Sequence, residues 1–182
     1  MNTDTLFPIY GVILGQTTID DIEDNAEKID IKSEFKSASI NDVCFIEIVE
    51  EGTIGYAIIG SDATFPQKWQ SSLGLAWGTS CEECKGILMK KGYQIGLYTE
   101  GKHSLFGNFR SQINVLSENG EYAFQLQFGK KRAGLDLIII SKNHSCCPQC
   151  ESRDIEMTTN SGLSNKYICN NCGHKWGLGY VL

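Results

Sequence analysis

The chain has no uncharged apolar run near the ~20 residues that a membrane-spanning helix needs. Its best stretch, Leu135 to Ile140, is strand-length and carries Asp136. It has no excess of positive charge either: the formal net charge is −6, which argues against a strongly basic nucleic-acid binder. No Gly-x-x-x-x-Gly-Lys-Ser/Thr loop occurs, so a P-loop nucleotide site is excluded. Three histidines in 182 residues leave little choice for a Cys/His nucleophile pair. The opening residues, Met1 to Leu6, hold neither a basic segment nor an apolar core. The expectation is therefore a protein without a secretory leader, placed in the reducing cytoplasm.

Apolar residues make up 41% and charged residues 21%, the balance of a globular protein. The length fits one ordinary domain plus one small one. Charge is split along the chain: residues 1–60 carry −9 and residues 61–182 carry +3. Solvated surfaces of two halves account for this split; an acidic face that meets a basic protein partner is the sharper reading.

Cysteine is plentiful. There are eight: Cys44, Cys81, Cys84, Cys146, Cys147, Cys150, Cys169 and Cys172. In a reducing compartment they read as metal ligands, small buried apolar residues or reactive thiols. Cys147-Pro148-Gln149-Cys150 and Cys169-Asn170-Asn171-Cys172 are two Cys-x2-Cys hooks with eighteen residues between them. Two hooks on a hairpin put four sulfurs at the corners of a tetrahedron, the arrangement a structural zinc ion takes. Gly173 follows the second hook, where a positive φ is often needed; Glu151 stands at that place in the first. Cys146 could replace Cys147, and His144 or His174 could substitute as ligands. A tail of about 37 residues cannot bury enough core to fold alone, so one Zn2+ would supply its folding free energy.

Cys147-Pro148-x-Cys150, followed by Tyr167-x-Cys169-x-x-Cys172-Gly173-His174-x-Trp176, resembles a zinc ribbon of the transcription elongation factor S and RNA polymerase subunit type. The likeness covers residues 146–182. It implies a three-stranded sheet at roughly 153–159, 165–169 and 174–181, with Tyr167 and Trp176 packed on it. The elongation factor carries an Asp-Glu pair at its hairpin tip that assists RNA cleavage. The tip here, residues 160–165, has no acid, so that catalytic role does not carry over.

Residues 1–142 show an internal repeat at an offset of 62: Thr17-Thr18-Ile19-Asp20-Asp21-Ile22 against Thr79-Ser80-Cys81-Glu82-Glu83-Cys84. Each copy has a strand-like lead, Ile9 to Leu14 and Leu73 to Trp77. Each reads as a helix start, with a hydroxyl cap and acids in the first turn. Ser80 with Glu83 fits a capping box, and that helix should end at Gly92. The first helix is expected over Ile19 to Lys28. Strands are expected at Val43 to Glu50 and Thr53 to Gly60 about an Glu51-Gly52 turn. Further strands are expected at Tyr93 to Thr99, His103 to Val115, Tyr122 to Phe128 after an Asn119-Gly120 turn, and Leu135 to Ser141. Trp69, Trp77 and Phe65 are expected in the core between the copies. The Gln125 and Gln127 face is expected to be open to solvent or to a partner.

The fold class expected from this pattern is α+β. Two helix-plus-antiparallel-strand repeats, at about 10–60 and 73–142, form a helix-on-sheet domain, and a small all-β zinc ribbon follows at 146–182. Residues 10–142 also resemble, through Gly15-Gln16-Thr17-Thr18-Ile19-Asp20-Asp21-Ile22, the beta-lactamase-inhibitor-like class of tandem repeats, which implies a protein-binding sheet surface. The function expected is a non-enzymatic zinc-binding adaptor. One alternative is nucleic-acid binding through the ribbon and the basic tip Lys130-Lys131-Arg132. The other is a thiol oxidoreductase using Cys81 and Cys84. Against the last, the repeat aligns these cysteines with Ile19 and Ile22, as small sheet-facing hydrophobes.

Overall fold

The computed structural model of the chain describes residues 8–22, 26, 28–31, 35–48, 52–100, 111–116, 122–129, 133–142, 146–147, 149–159 and 166–176. Strands dominate. β1 (Lys28–Ile31), β2 (Phe35–Ile40), β3 (Val43–Ile48) and β4 (Thr53–Gly60) come first. Two helices follow, α1 (Gln67–Leu73) and α2 (Cys81–Lys90). β5 (Gln94–Glu100), β6 (Ser111–Leu116), β7 (Tyr122–Phe128) and β8 (Leu135–Lys142) complete a sheet with order β1-β2-β3-β4-β8-β7-β6-β5. Every neighbouring pair in it is antiparallel. β9 (Ile155–Thr159), β10 (Lys166–Cys169) and β11 (Lys175–Trp176) form a separate small sheet of order β11-β10-β9.

Turn chemistry explains the tightest connection. Ile40 pairs directly with Val43, so only Asn41 and Asp42 make the turn. Their φ angles are 48° and 62°, the left-handed pair of a type I′ hairpin, which Asn and Asp tolerate best. β3 and β4 form the hairpin expected about Gly52. The large sheet is thus two four-strand meanders joined where Ile58 of β4 faces Ile139 of β8.

Alternation then sorts side chains between the two faces. One face carries Val43, Phe45, Ala57, Ile59, Ile113, Phe124, Leu126, Ile138 and Ile140. Trp69 and Leu73 of α1 and Cys84 and Leu88 of α2 pack on it, so both helices lie on this side. Phe65 and Trp77 meet edge to face at 4.9 Å and join the same core. The expectation of core positions for Phe65, Trp69 and Trp77 holds. The opposite face holds a second cluster of Ile46, Tyr56, Ile58, Leu137 and Ile139.

That opposite face corrects one expectation. Gln127 is 0% exposed; its side-chain amide donates to Gln112 Oε1 at 3.0 Å, and Gln112 donates to Asn114 Oδ1 at 3.1 Å. The cross-strand bond from Gln127 to Gln112 gives its amide a partner, so this polar side chain is buried on the outward phase of β7.

The fold class is also corrected. The protein is mostly β, and the two halves are not two helix-plus-strand repeats. The second helix forms as expected: Ser80 Oγ accepts from the Glu83 N–H, Glu83 Oε2 accepts from the Ser80 N–H at 3.1 Å, and Gly92 closes the end with φ 84°. The helix expected over Ile19 to Lys28 does not. Its capping pair is present, with Thr18 N–H donating to Asp21 Oδ2 at 2.8 Å and Asp21 N–H donating to Thr18 Oγ1 at 3.1 Å. The described residues there make only a single turn, closed by Ile22 N–H to Ile19 O at 3.1 Å, and the chain is in β1 by Lys28. A capped turn is only a nucleus; Asp24 and Asn25 are weak helix formers, and the alternating Lys28-Ile29-Asp30-Ile31 pairs with β2 instead.

What the two copies do share is docking. Thr17 O accepts from Ile54 N–H at 2.8 Å while Gly15 N–H donates to Ile54 O at 2.8 Å. Thr79 O accepts from Leu135 N–H at 2.8 Å while Gly78 N–H donates to Leu135 O at 2.9 Å. The strand-like leads are not strands: Ile9 and Val12 share a single bridge, and Leu73 ends α1, which the sequence pattern did not indicate. β1 and β2 were likewise not expected. Residues 101–110, the Asn119-Gly120 turn and the 160–165 tip lie outside the described residues.

Candidate metal centre

Each cysteine hook is built by the same backbone geometry. In the first, Cys147 N–H donates to Ser152 O and Glu151 N–H donates to Cys147 O, both at 2.8 Å. In the second, Cys169 N–H donates to His174 O at 2.9 Å and Gly173 N–H donates to Cys169 O at 2.8 Å. The residue after each hook turns left-handed: φ is 57° at Glu151 and 72° at Gly173. The departure noted in the sequence is thus a strained non-glycine doing a glycine's work.

The two hooks lock together across the site. Asn170 N–H donates to Asp154 O at 2.9 Å, and its side chain donates to Asp154 Oδ1 at 3.0 Å. Asn171 Nδ2 lies 3.7 Å from Cys150 Sγ as a donor. Both spacer residues of the second hook therefore reach to the first. Behind them, Trp176 stacks with Tyr167 at 5.5 Å and with His174 at 5.6 Å. Buried Cys147, Tyr167, Cys169 and Trp176 make up the small core here, with Cys150 and Ile155 against it.

The result is a tetrad. Cys147 Sγ lies 3.6 Å from Cys172 Sγ, and Cys150 Sγ lies 3.5 Å from Cys169 Sγ. All four sulfurs fall within 4.8 Å of one another. Sulfurs bound at ~2.3 Å around a tetrahedral zinc would be separated by about 3.8 Å. The donor set is sulfur alone, which suits zinc or iron and not a hard cation. Cys147, Cys150, Cys169 and Cys172 can hold a metal ion. Cys146 is outside this group, His174 serves as a stacked ring, and His144 lies outside the described residues.

Electrostatics point the same way. The Ser152 N–H, then the Asn171 amide and the Cys172 thiol, hold the Cys150 thiol down to about 6. The equivalent His174 N–H favours a Cys172 thiolate, but desolvation and the sulfurs of Cys150, Cys147 and Cys169 outweigh it and push that thiol up to about 12. One sulfur sheds its proton readily and another refuses. A divalent cation at the centre removes that opposition.

The other candidate residues that the structure describes are not brought into a site. Cys84 is buried against the sheet; its thiol is pushed up to about 12 by burial, with Cys81 and Glu83 adding to it. It is a packing residue, protonated at neutral pH, with Cys81 half-buried beside the same core. Cys44 packs half-buried on the opposite face. Lys130, Lys131, Arg132 and His103 lie outside the described residues. An apolar void in the core, between Trp69, Leu88, Tyr93 and Phe124, is about the size of a water molecule. Among the described residues no helix is long and apolar enough to cross a membrane. No protein-family model, no curated protein and no solved structure matches the chain.

The sequence missed the bracing role of Asn170 and Asn171. The signal was available: two adjacent amides between ligand cysteines can each reach the facing hook.

Proposed function

We propose that the protein binds one structural zinc ion through Cys147, Cys150, Cys169 and Cys172. In this reading it works as a protein-protein interaction module and not as a catalyst. The observation that carries the metal reading is the sulfur tetrad itself, held by two hooks of matching geometry. The resemblance to the zinc ribbons of elongation factor S and RNA polymerase subunits is supported by the order β11-β10-β9 and by the Tyr167–Trp176 stack. Bound zinc would close the tetrahedron and supply the folding free energy that so small a core lacks.

The binding role draws support from charge. Residues 1–60 carry −9, and Asp20, Asp21 and Asp42 are exposed. An excess of negative charge favours a basic protein partner and speeds encounter with it.

Metal analysis of the untagged protein tests the first half: one zinc per chain is expected, lost in Cys169→Ser. Iron, visible as a coloured thiolate centre, would overturn the zinc assignment, and a metal-free protein would overturn the centre. Capture of partners from the native cell tests the second half. Partner retention that weakens in Cys169→Ser supports the ribbon as a contact surface. Salt-sensitive retention of RNA or DNA in place of a protein would overturn it.

A further inference from the structure

The four sulfurs are not equivalent. Cys147 and Cys169, the first cysteine of each hook, are buried; Cys150 is half-buried and Cys172 is exposed. Each hook thus has an inner and an outer sulfur. Two separations, 3.6 Å and 3.5 Å, each join an inner sulfur of one hook to the outer sulfur of the other. An oxidant from solvent meets Cys172 first, and Cys147, the inner sulfur of the facing hook, lies 3.6 Å from it.

We propose that the tetrad is a peroxide-sensitive metal clasp, opened by oxidation at Cys172 and closed into disulfides that cross between the hooks, Cys147–Cys172 and Cys150–Cys169. This rests on the metal reading above.

The chemistry balances with hydrogen peroxide as the oxidant. The Cys172 thiolate attacks one peroxide oxygen; the O–O bond breaks, leaving a sulfenic acid and hydroxide. The Cys147 thiolate then attacks the Cys172 sulfur and expels a second hydroxide as the S–S bond forms. Two thiolates give up two electrons, peroxide accepts them, and the two hydroxides take protons from solvent. A second peroxide repeats the sequence at Cys150 and Cys169. Each disulfide removes two anionic ligands, so the ion leaves.

The structure also says what would follow. Two of the four buried residues of the ribbon core are ligands, Cys147 and Cys169. The large sheet has its own core, which includes none of the four ligands. Oxidation would therefore rearrange the ribbon and leave the sheet folded, which makes the ribbon a detachable reporter of oxidant.

The test uses the full-length, zinc-loaded chain titrated with hydrogen peroxide. A chromogenic zinc chelator follows release, dimedone traps sulfenic acid, and peptide mass spectrometry maps disulfides. The expected result is a first dimedone adduct on Cys172, complete zinc loss as four thiols disappear, cross-hook disulfides, and recovery with dithiothreitol plus zinc. Cys146→Ser, outside the tetrad, should behave like the parent chain. Zinc retained while only Cys44, Cys81 or Cys146 is oxidised would overturn the proposal. Disulfides within the hooks, or to Cys146, would overturn its pairing. A chain that carries no zinc before peroxide is added fails the metal reading instead, so the two failures are distinguishable.

Discussion

Gly134 lies against the backbone of Gly78 so closely that a Cβ added at 134 would sit 2.2 Å from the Gly78 carbonyl oxygen. Gly134 also holds a φ of 106°. The approach exists because Gly78 and Thr79 clamp both backbone groups of Leu135, the next residue along. Gly134→Ala cannot relieve the overlap by moving a side chain, since the atoms it meets are all Gly78 backbone. The expected cost is about 2–4 kcal/mol, with a melting temperature lower by on the order of 10 °C. Thermal unfolding of the variant checks it; a shift of only a degree or two would show that this clamp is loose.

Removing the metal should act locally. In the metal-loaded protein, a strong chelator at neutral pH is expected to strip protection from the Tyr167 and Ile168 amides. Ile138 and Ile140, in the centre of the large sheet, should keep theirs. Hydrogen exchange read by mass spectrometry distinguishes the regions. Simultaneous loss of protection in both sheets would contradict two separate cores.

Glu151 offers a gain. It holds φ 57° where the matching residue of the second hook is Gly173. Glu151→Gly should remove about 1 kcal/mol of backbone strain from the first hook, partly offset by the greater freedom of glycine when unfolded. Competition with a chelator is the readout: the variant should hold the metal as tightly as the parent chain or more so. A weaker hold would mean that the Glu151 side chain, and not its backbone, matters.

The α2 cap should be pH-dependent. The Ser80 hydroxyl and then its backbone N–H lower the Glu83 pKa below its ordinary value. A depressed carboxylate contributes stability that is complete above its unfolded pKa, near 4.5, and is lost as pH falls through the lower folded value. Ser80→Ala should cost about 1 kcal/mol at neutral pH. The gap between variant and parent should narrow on acidification below pH ~4.5. Denaturant titrations at neutral pH and at about pH 3 measure both; a gap that widens in acid has the wrong sign.

Much of the site was legible because it is local. Cysteine spacing alone named the tetrad, and the position after each hook announced its left-handed turn. The capping chemistry of α2 and the clean alternation of Tyr122, Phe124, Leu126 and Phe128 were equally readable. What failed was tertiary. Thr18 and Asp21 carry the same cap chemistry as Ser80 and Glu83. Yet Ile19 N–H is taken by the buried Glu47 carboxylate at 2.6 Å, twenty-eight residues away, and Lys36 bridges Glu47 to Asp20. No window along the chain contains that contact. Gln127 misled in the same way, since its partner Gln112 belongs to another strand. The Asn41-Asp42 turn is the reverse case: a signal present in the sequence that would have disclosed β2.

The seam between the two meanders sets an order of events in folding. Tyr56 pairs with Ser141 and Gly60 with Leu137, so the strand that completes β4 is the last of the large sheet to leave the ribosome. Until then the first meander waits with a long apolar margin unpaired, the kind of margin that recruits foreign strands. The time spent synthesising α1 to β7 is the interval in which this protein is most exposed to aggregation, and the arrival of Leu135 to Lys142 ends it.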